Sequence, residues 1–358
     1  MKTRPVRYPE IEVAGTPRQM GRQLGEAAAD EIRGFTEIAL ESVQKTIRIS
    51  QERAMDVVLR SLAMAEQYDD QIVEELRGIA DVTGIALEDL MLLQGRNQLR
   101  DEPVGGCTSF SVAAHSSREG RSLVGQNWDN DPELDPFTMV VTRRPLDQPS
   151  MMCITQVGLV AYIGLSEAGI GACLNTLPAP SRDVGVPHYF TLRGIYQASS
   201  LAEAVVAVER AERAVPANIM LATPQGPANL EVTCEQVYVL QDSQQLTHTN
   251  HCLHPELAGL NSQFPELIES GPRKKRIDQL FQASSADTGI AELQRYLADH
   301  EGYPKSICRH PNDHPEHGFW TTVFSVIVDV DAGQMHISRG NPCECDYELY
   351  QLSSERVC

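Results

Sequence analysis

The chain has 358 residues, enough for one large domain or two ordinary ones, and a globular composition with 42% hydrophobic and 22% charged residues. A formal net charge of −19 argues against broad binding to nucleic acids or anionic membranes, because such binding requires a basic surface. No run approaches the roughly 18 apolar residues of a membrane-spanning helix, and the opening residues MKTRPVRYPE lack the apolar core of a secretory signal. Nine cysteines without the spacing of a disulfide scaffold indicate free thiols in a reducing compartment, so we expect a cytoplasmic protein.

The first hundred residues have the apolar spacing of helices. Three apolar stripes, which start at Met20, Met55 and Ile72, follow helical periodicity, and Gly84 ends the third. Residues 87–93 predict a further short helix. Little strand pattern is present in this part of the chain.

Strand patterns begin after Gly105. Short β-rich runs bounded by turn residues predict strands over residues 108–113, 122–126, 138–142, 153–157, 170–174, 219–222, 230–232, 237–240, 246–249, 322–330 and 335–338. Helices are predicted over residues 192–212, 273–282 and 290–297. Grouped strands with helices between them, and few βαβ alternations, indicate an α+β fold built in layers.

The segment Gly105-Gly106-Cys107 lies where the pattern changes from helix to strand. Its plain interpretation is a glycine turn before a strand. The two glycines also suit a backbone bend in which the Cys107 thiol attacks the preceding carbonyl, so that hydrolysis of the resulting thioester frees the α-amine of Cys107. That amine has an ordinary pKa of about 7.7–8.0 and the thiol one of about 8.5. One residue would then supply both the base and the nucleophile.

Three polar residues downstream would complete such a site. Asp129, one hairpin later, would hold the new ammonium group, although it also suits a turn cap in an acidic stretch. Asn175 and Asn250 are predicted at strand ends, where side-chain amides can donate to a developing oxyanion and where asparagine is also a common turn residue.

These motifs resemble, over nearly the whole chain, the acyl-CoA:6-aminopenicillanic acid acyltransferase family of N-terminal-nucleophile enzymes, the C45 peptidases. The resemblance is carried by GTP at 15–17 with Gly21 and Gly25, ELRGIA at 75–80, GCTS at 106–109, GQNWD at 125–129, LNT at 174–176, TNH at 249–251, CRHP at 308–311 and RGNPC at 339–343. It implies a four-layer αββα fold, made as an inactive precursor (a zymogen) that cuts itself between Gly106 and Cys107. A helical chain 1–106 and a catalytic chain 107–358 would stay together as a heterodimer.

The same resemblance implies the roles of the site residues. Cys107 would be the nucleophile, Asp129 would fix its ammonium group, and Asn250 with backbone amides would form the oxyanion hole. Arg309 would order the site or meet the acyl or carboxylate end of the substrate. Asn175 is similar to a second asparagine of the related choloylglycine hydrolases.

The expected reaction is hydrolysis or transfer of the acyl group of a small N-acyl amide through a Cys107 acyl-enzyme. Choloylglycine hydrolases have an arginine near the position of Gln126, and its absence here argues against a bile-acid amide substrate. No cofactor is expected, although coenzyme A would serve as an acyl carrier without any sequence motif. The alternative is an uncleaved, non-catalytic homologue that binds an N-acyl ligand or a partner.

Three further patterns have competing interpretations. Imidazoles and thiolates crowd two segments and can hold zinc, namely Cys308, His310, His314 and His317 with Cys343 and Cys345. No C-x-x-C pair or H-E-x-x-H motif is present, so the sequence favours a substrate-facing loop and no metal.

A papain-type Cys–His pair lacks its C-G-S-C-W signature. The basic run 273–276 is interpreted as a solvated helix face.

Overall fold

A computed structural model describes residues 6–45, 50–99, 105–264, 266–267, 269–284, 288–315 and 318–353. The helices are α1 (Pro17–Ala27), α2 (Ala29–Lys45), α3 (Gln51–Thr83), α4 (Leu87–Gly95), α5 (His188–Gln197), α6 (Leu201–Glu209), α7 (Ser270–Ala283) and α8 (Ile290–Leu297). The strands are β1 (Glu10–Gly15), β2 (Gly106–Val112), β3 (Leu123–Asn130), β4 (Thr138–Pro145), β5 (Met151–Gln156), β6 (Ile163–Ser166), β7 (Ile170–Thr176), β8 (Ala217–Thr223), β9 (Gly226–Val232), β10 (Val237–Gln241), β11 (Gln245–His248), β12 (Thr321–Asp329), β13 (Gln334–Arg339) and β14 (Tyr347–Gln351).

The strands form two sheets that pack face to face. One sheet has eight strands in the order β1-β4-β5-β6-β7-β8-β9-β10, and the other has six in the order β11-β2-β3-β12-β13-β14. Because side chains alternate along a strand, β2 directs Cys107 into the core between the sheets and Phe110 to the opposite face. There Phe110 packs with Ile277 of α7 and Leu293 of α8, which cover the six-stranded sheet.

The remaining helices cover the outer face of the eight-stranded sheet. Arg143 of β4 lies under this layer, and its Nε is 2.7 Å from Glu75 of α3. Arg193 of α5 reaches the same carboxylate at 3.0 Å. The result is helix, sheet, sheet and helix in four layers, which confirms the predicted αββα architecture. In the described ranges, none of the helices is long and apolar enough to cross a lipid bilayer.

The predicted elements before residue 105 are confirmed in kind but differ in three respects. The stripe that starts at Met20 and extends to Ile32 crosses the break between α1 and α2 at Ala28. The stripes that start at Met55 and Ile72 belong to one helix, α3, whose backbone leaves the helical region at Asp69. The sequence analysis missed β1, which runs parallel to β4 at the sheet edge. Its alternating residues, EIEVAG, are typical of a half-buried strand. The first 106 residues therefore contribute both a helical layer and a strand.

The single helix predicted over residues 192–212 is wrong, because two helices occupy this region. Helix α5 ends at Gln197, and Ser200 begins α6 by accepting a hydrogen bond from the main-chain N–H of Glu203 at 3.3 Å. Serine is a preferred residue at this capping position. The apolar spacing continues across the break, and that continuity hid it.

Candidate active site

Cys107 lies at the start of β2, and its side chain is only 2% exposed. Gly105 precedes the strand with a φ of +107°, a conformation that favours glycine. An added Cβ there would lie 3.3 Å from the Asn130 side-chain amide. The glycine turn before Cys107 is therefore a real feature of the backbone, as the sequence predicted.

The main chain of Cys107 is held by side chains from outside its strand. Its N–H donates to Asn250 Oδ1 at 2.8 Å, and its carbonyl accepts from Arg273 Nη1 at 2.5 Å. Arg273 Nη2 also donates to Asn250 Oδ1 at 2.8 Å, and Asn250 Nδ2 donates to the carbonyl of Thr176 at 2.9 Å. The sulfur points across to the carbonyl of Leu174, 3.8 Å away. The amide donor of Asn250, assigned to the oxyanion by the sequence analysis, is thus bound to Thr176 in this conformation.

The environment of the Cys107 thiol keeps it protonated. Burial raises its pKa well above the ordinary value, and the negative charge of Asp129 raises it further. The positive charge of Arg273 and a hydrogen bond with Gln126 oppose this rise without cancelling it. Among the described residues, no imidazole is hydrogen-bonded to Cys107, so the structure offers no support for a papain-type pair. The thiol needs a base from another source.

Asp129 lies directly opposite Gly106 in the antiparallel pairing of β2 with β3. Its side chain is fully buried, and its Oδ1 accepts from Thr322 Oγ1 at 2.7 Å. Its Oδ2 has no hydrogen-bond partner within the described part of the chain. Burial raises the pKa of Asp129, while the charges of Arg273 and Arg309 work in the opposite direction. A buried carboxylate oxygen without a partner is suited to receive a cation.

Arg309 is buried and belongs to the same charged group. Its Nη1 donates to Glu269 Oε2 at 2.9 Å, and its main-chain N–H donates to Thr322 Oγ1 at 3.0 Å. Thr322 in turn donates to Asp129. Two arginines, Arg273 and Arg309, thus face two carboxylates, the buried Asp129 and the partly exposed Glu269.

The interpretation of residues 273–276 as a solvated face is wrong for Arg273, which is fully buried. It shares a helix face with Ile277 and Phe281, at spacings of four and eight residues, and both of these are buried. This spacing was available in the sequence, but the adjacent charged residues concealed it. Burial lowers the pKa of Arg273, and the negative charge of Asp129 opposes the decrease. Arg273 is therefore the main site residue that the sequence analysis missed.

Asn175 lies on β7 and faces β2 across the space between the sheets. Its Nδ2 donates to Ser109 Oγ at 2.9 Å and to the carbonyl of Thr249 at 2.8 Å. Its neighbour on the same face of the site is Gln126, whose Nε2 donates to the carbonyl of Leu174 at 2.9 Å. The structure thus places Asn175 against Ser109, two residues along β2 from Cys107, and gives Gln126 the closer position to the thiol.

A four-layer αββα sandwich with a cysteine at the start of a central strand is the fold of the N-terminal-nucleophile hydrolases. The family model described as acyl-coenzyme A:6-aminopenicillanic acid acyl-transferase matches residues 116–344. The chain belongs to this family, as the resemblance of its motifs predicted. The match begins after Cys107 and covers the positions of Asp129, Asn175, Asn250 and Arg309.

The chain is also similar to individual proteins. The 40 kDa form of acyl-coenzyme A:6-aminopenicillanic-acid-acyltransferase from Emericella nidulans is 26% identical over 345 residues, which cover 93% of this chain and 92% of the relative. An N-acylethanolamine-hydrolyzing acid amidase ortholog from Caenorhabditis elegans matches with 17% identity and a TM-score of 0.43, over 62% of this chain and 92% of its own. Penicillin V acylase from Agrobacterium tumefaciens matches with 12% identity and a TM-score of 0.47, over 69% of this chain and 87% of its own.

Proposed function

We propose that this chain is a self-processing enzyme with an N-terminal cysteine, which cleaves or transfers the acyl group of a small N-acyl amide through a Cys107 acyl-enzyme. The observation that carries the proposal is the set of hydrogen-bond acceptors close to the Cys107 nitrogen. Asn250 Oδ1 accepts its hydrogen at 2.8 Å, and Asp129, with one unpartnered oxygen among the described residues, lies across from Gly106. These acceptors suit a nitrogen that becomes an ammonium group.

Processing begins when the Cys107 thiol attacks the carbonyl carbon of Gly106. The C–N bond of the peptide breaks, a thioester forms between Gly106 and Cys107 Sγ, and the nitrogen of Cys107 takes up the proton as a free amine. Water then hydrolyses the thioester, which leaves a carboxylate on Gly106 and a thiol on Cys107. The bend at Gly105, with its φ of +107°, supports this step because it orients the backbone just before the bond.

Chains 1–106 and 107–358 would stay together after the cut, because they share secondary structure and core. Strand β1 pairs with β4 in one sheet, and Glu75 of α3 forms buried ion pairs with Arg143 and Arg193. The heterodimer of the two chains is thus part of the proposal.

In turnover, the α-amine of Cys107 takes the thiol proton, and the thiolate attacks the carbonyl of the substrate. Asn250 Nδ2, released from Thr176, and backbone amides stabilise the oxyanion. The leaving amine takes the proton, and an acyl group remains on Cys107. Water then completes hydrolysis, or a second amine accepts the acyl group. Because burial raises the pKa of the Cys107 thiol, the thiol needs this base to lose its proton.

The other residues act as positioning groups in this proposal. Asp129 holds the ammonium group, and Arg309 orders the site through Glu269 and Thr322. Asn175 fixes β2 against the residues after β11 through Ser109 and Thr249. None of these steps requires a cofactor, and coenzyme A is the carrier we would test as an acyl donor. Cytoplasmic localisation stays a prediction.

Intact mass spectrometry of the purified chain under denaturing conditions tests the proposal. We expect two species that divide between Gly106 and Cys107, and turnover in a screen of N-acyl amides. Cys107→Ala should give one uncut chain that folds but has no activity. The matched control is Cys173→Ala, which also removes a buried thiol between the sheets and should leave cleavage intact. A wild-type chain that stays uncut for days, or amide hydrolysis by Cys107→Ala, would favour the non-catalytic binding protein or a different nucleophile.

A further inference from the structure

Four side chains that can ligate a metal come from three segments and meet beside the buried Arg309. They are His300, just after α8, Cys308 and His310, which flank Arg309, and Cys343, in the turn after β13. One ligand atom from each lies within 4.8 Å of all the others. Cys308 is buried, while His300 and Cys343 are exposed at the surface, so the cluster is open to a metal ion from solvent.

Four of the six distances between these ligand atoms lie within about 0.4 Å of the edges of a tetrahedral zinc site, and the other two are within 4.8 Å. Zn–S bonds of about 2.3 Å and Zn–N bonds of about 2.0–2.1 Å give tetrahedral edges of about 3.8 Å between sulfurs, about 3.5 Å between sulfur and nitrogen, and about 3.3 Å between nitrogens. Here the two sulfurs are 3.6 Å apart. Nε2 of His310 lies 3.7 Å from Cys308 Sγ and 3.3 Å from Cys343 Sγ, and 2.9 Å from Nε2 of His300.

We propose that His300, Cys308, His310 and Cys343 bind one Zn²⁺ ion. Two thiolates and two imidazoles form a donor set that selects zinc over magnesium or calcium, which prefer oxygen ligands. All four positions of the tetrahedron are filled by protein ligands, which is typical of a structural rather than a catalytic zinc site.

Neighbouring groups support the ligands as expected around a metal. Asn341 Nδ2 lies 3.5 Å from Cys308 Sγ and donates to the carbonyl of Arg309 at 2.6 Å. The carboxylate of Glu344 is 3.9 Å from Nδ1 of His310, the ring nitrogen that faces away from the cluster. Carboxylates and amides in such positions orient the ligands of bound metals.

The sequence concealed this site because its ligands are far apart in the chain. His300 lies outside the two Cys- and His-rich segments, and Cys343 lies on another element than Cys308, so no C-x-x-C spacing arises. His314 and Cys345, which belong to those segments, are not in the group, and His317 lies outside the described residues.

Zinc at this position would hold the segment that carries Arg309. Cys308 and His310 are the immediate neighbours of Arg309 in the chain. The main-chain N–H of Arg309 donates to the Thr322 hydroxyl at 3.0 Å, and the carbonyl of Arg309 accepts from the main-chain N–H of Thr322 at 2.9 Å. Thr322 donates to Asp129 at 2.7 Å. The metal would thus anchor one end of the network that reaches Asp129. Zinc binding at these four side chains does not require cleavage at Gly106. The zinc content of the chain is therefore measured independently of processing and of activity.

The experiment is the zinc content of the full chain, purified under reducing conditions and dialysed after exposure to excess Zn²⁺. We expect about one zinc per chain from the four-ligand site. Cys343→Ser and His300→Ala each remove an exposed ligand and should lose this zinc, with affinity lowered by more than the roughly 10- to 100-fold typical of supporting residues. Cys345→Ser, in the same turn but outside the cluster, should keep it, and so should Cys107→Ala.

Substitution with Co²⁺ gives a second measurement that does not depend on activity. A tetrahedral site with two thiolates should produce visible absorption in the wild type and in Cys345→Ser, and Cys343→Ser should lose it. The proposal is overturned if the saturated wild type retains no zinc, or if Cys343→Ser and His300→Ala retain as much as the wild type.

Discussion

The main-chain N–H of Cys107 donates to Oδ1 of Asn250 at 2.8 Å. Asn250 lies just beyond β11, which is the neighbour of β2 in the sheet, so the acceptor belongs to a different element from the residue that it holds. The same oxygen accepts from Arg273 at 2.8 Å. A nitrogen fixed in this way would keep its position when the peptide bond before it is cut.

Asn250→Ala removes both the acceptor for the Cys107 nitrogen and the amide proposed for the oxyanion. We expect turnover to fall roughly 10²- to 10³-fold, the usual effect of losing one oxyanion donor. The measurement is kcat/KM with an N-acyl amide. Asn261→Ala is the matched control, because Asn261 also bonds to the main chain of a cysteine, Cys252, at 2.8 Å through both amide atoms. Equal losses in the two variants would contradict a specific role for Asn250.

Asp129→Asn keeps the size of the side chain but removes its negative charge. A nearby carboxylate favours the protonated amine, so its loss should lower the pKa of the Cys107 α-amine. Since the amine must be deprotonated to accept the thiol proton, the acidic limb of the pH–rate profile should move to lower pH, by about one unit. Asp131→Asn, which changes a residue that caps the following turn, should leave the profile unchanged. An unmoved acidic limb in Asp129→Asn would argue against contact with the amine.

Arg273→Lys retains a positive charge but loses the fork that reaches Cys107, Thr108 and Asn250 together. Loss of a charge-assisted hydrogen bond should slow cleavage and turnover roughly 10- to 100-fold. The rate of appearance of the two chains, followed by mass spectrometry, is the measurement. Lys275→Ala changes an exposed residue of the same helix and should process at the wild-type rate. Unaltered processing in Arg273→Lys would show that charge alone is sufficient.

Glu75→Gln tests the buried ion pairs that join the helical layer to the eight-stranded sheet. Burial disfavours the charged form of Glu75, but the charges of Arg143 and Arg193 outweigh it and lower its pKa. Removing the carboxylate leaves two buried arginines unbalanced, so the free energy of unfolding should fall by about 3–5 kcal/mol at neutral pH. Glu74→Gln, whose partners Arg18 and Arg77 are partly exposed, should change it by about 0–1 kcal/mol.

The pH dependence of the Glu75 contribution has a definite sign. Because the folded pKa lies below the ordinary value of about 4.3, the stabilisation is fully present above that pH and is lost as the pH falls through the folded pKa. Chemical denaturation gives the free energies of unfolding of the wild type and of Glu75→Gln. The difference between them should be constant above about pH 5 and should become smaller in acid. A difference in the free energy of unfolding that grows in acid would mean that the pKa of Glu75 is raised, not lowered.

Local patterns were sufficient for most of the elements, though not for the strands β6 and β14, and for the nucleophile candidate. The change from helical to strand periodicity near Gly105 and the two glycines before Cys107 are visible in adjacent residues. These patterns failed where a short break interrupts continuous apolar spacing, as between α5 and α6. The break depends on the hydroxyl of the capping Ser200, which the spacing of apolar residues does not reveal. The patterns also failed for β1, whose six residues are a short signal next to a helix.

The sequence by itself determined the family, the position of Cys107 at the start of a strand, and the layered α+β class, since motifs and periodicity are properties of neighbouring residues. The tertiary structure alone decided that Arg273 turns inward to Cys107 and Asn250, while the adjacent Lys275 stays at the surface. It also decided that His300 and Cys343 meet Cys308 and His310. Burial and convergence depend on contacts between residues far apart in the chain, and these exist only once the sheets and helices have packed together.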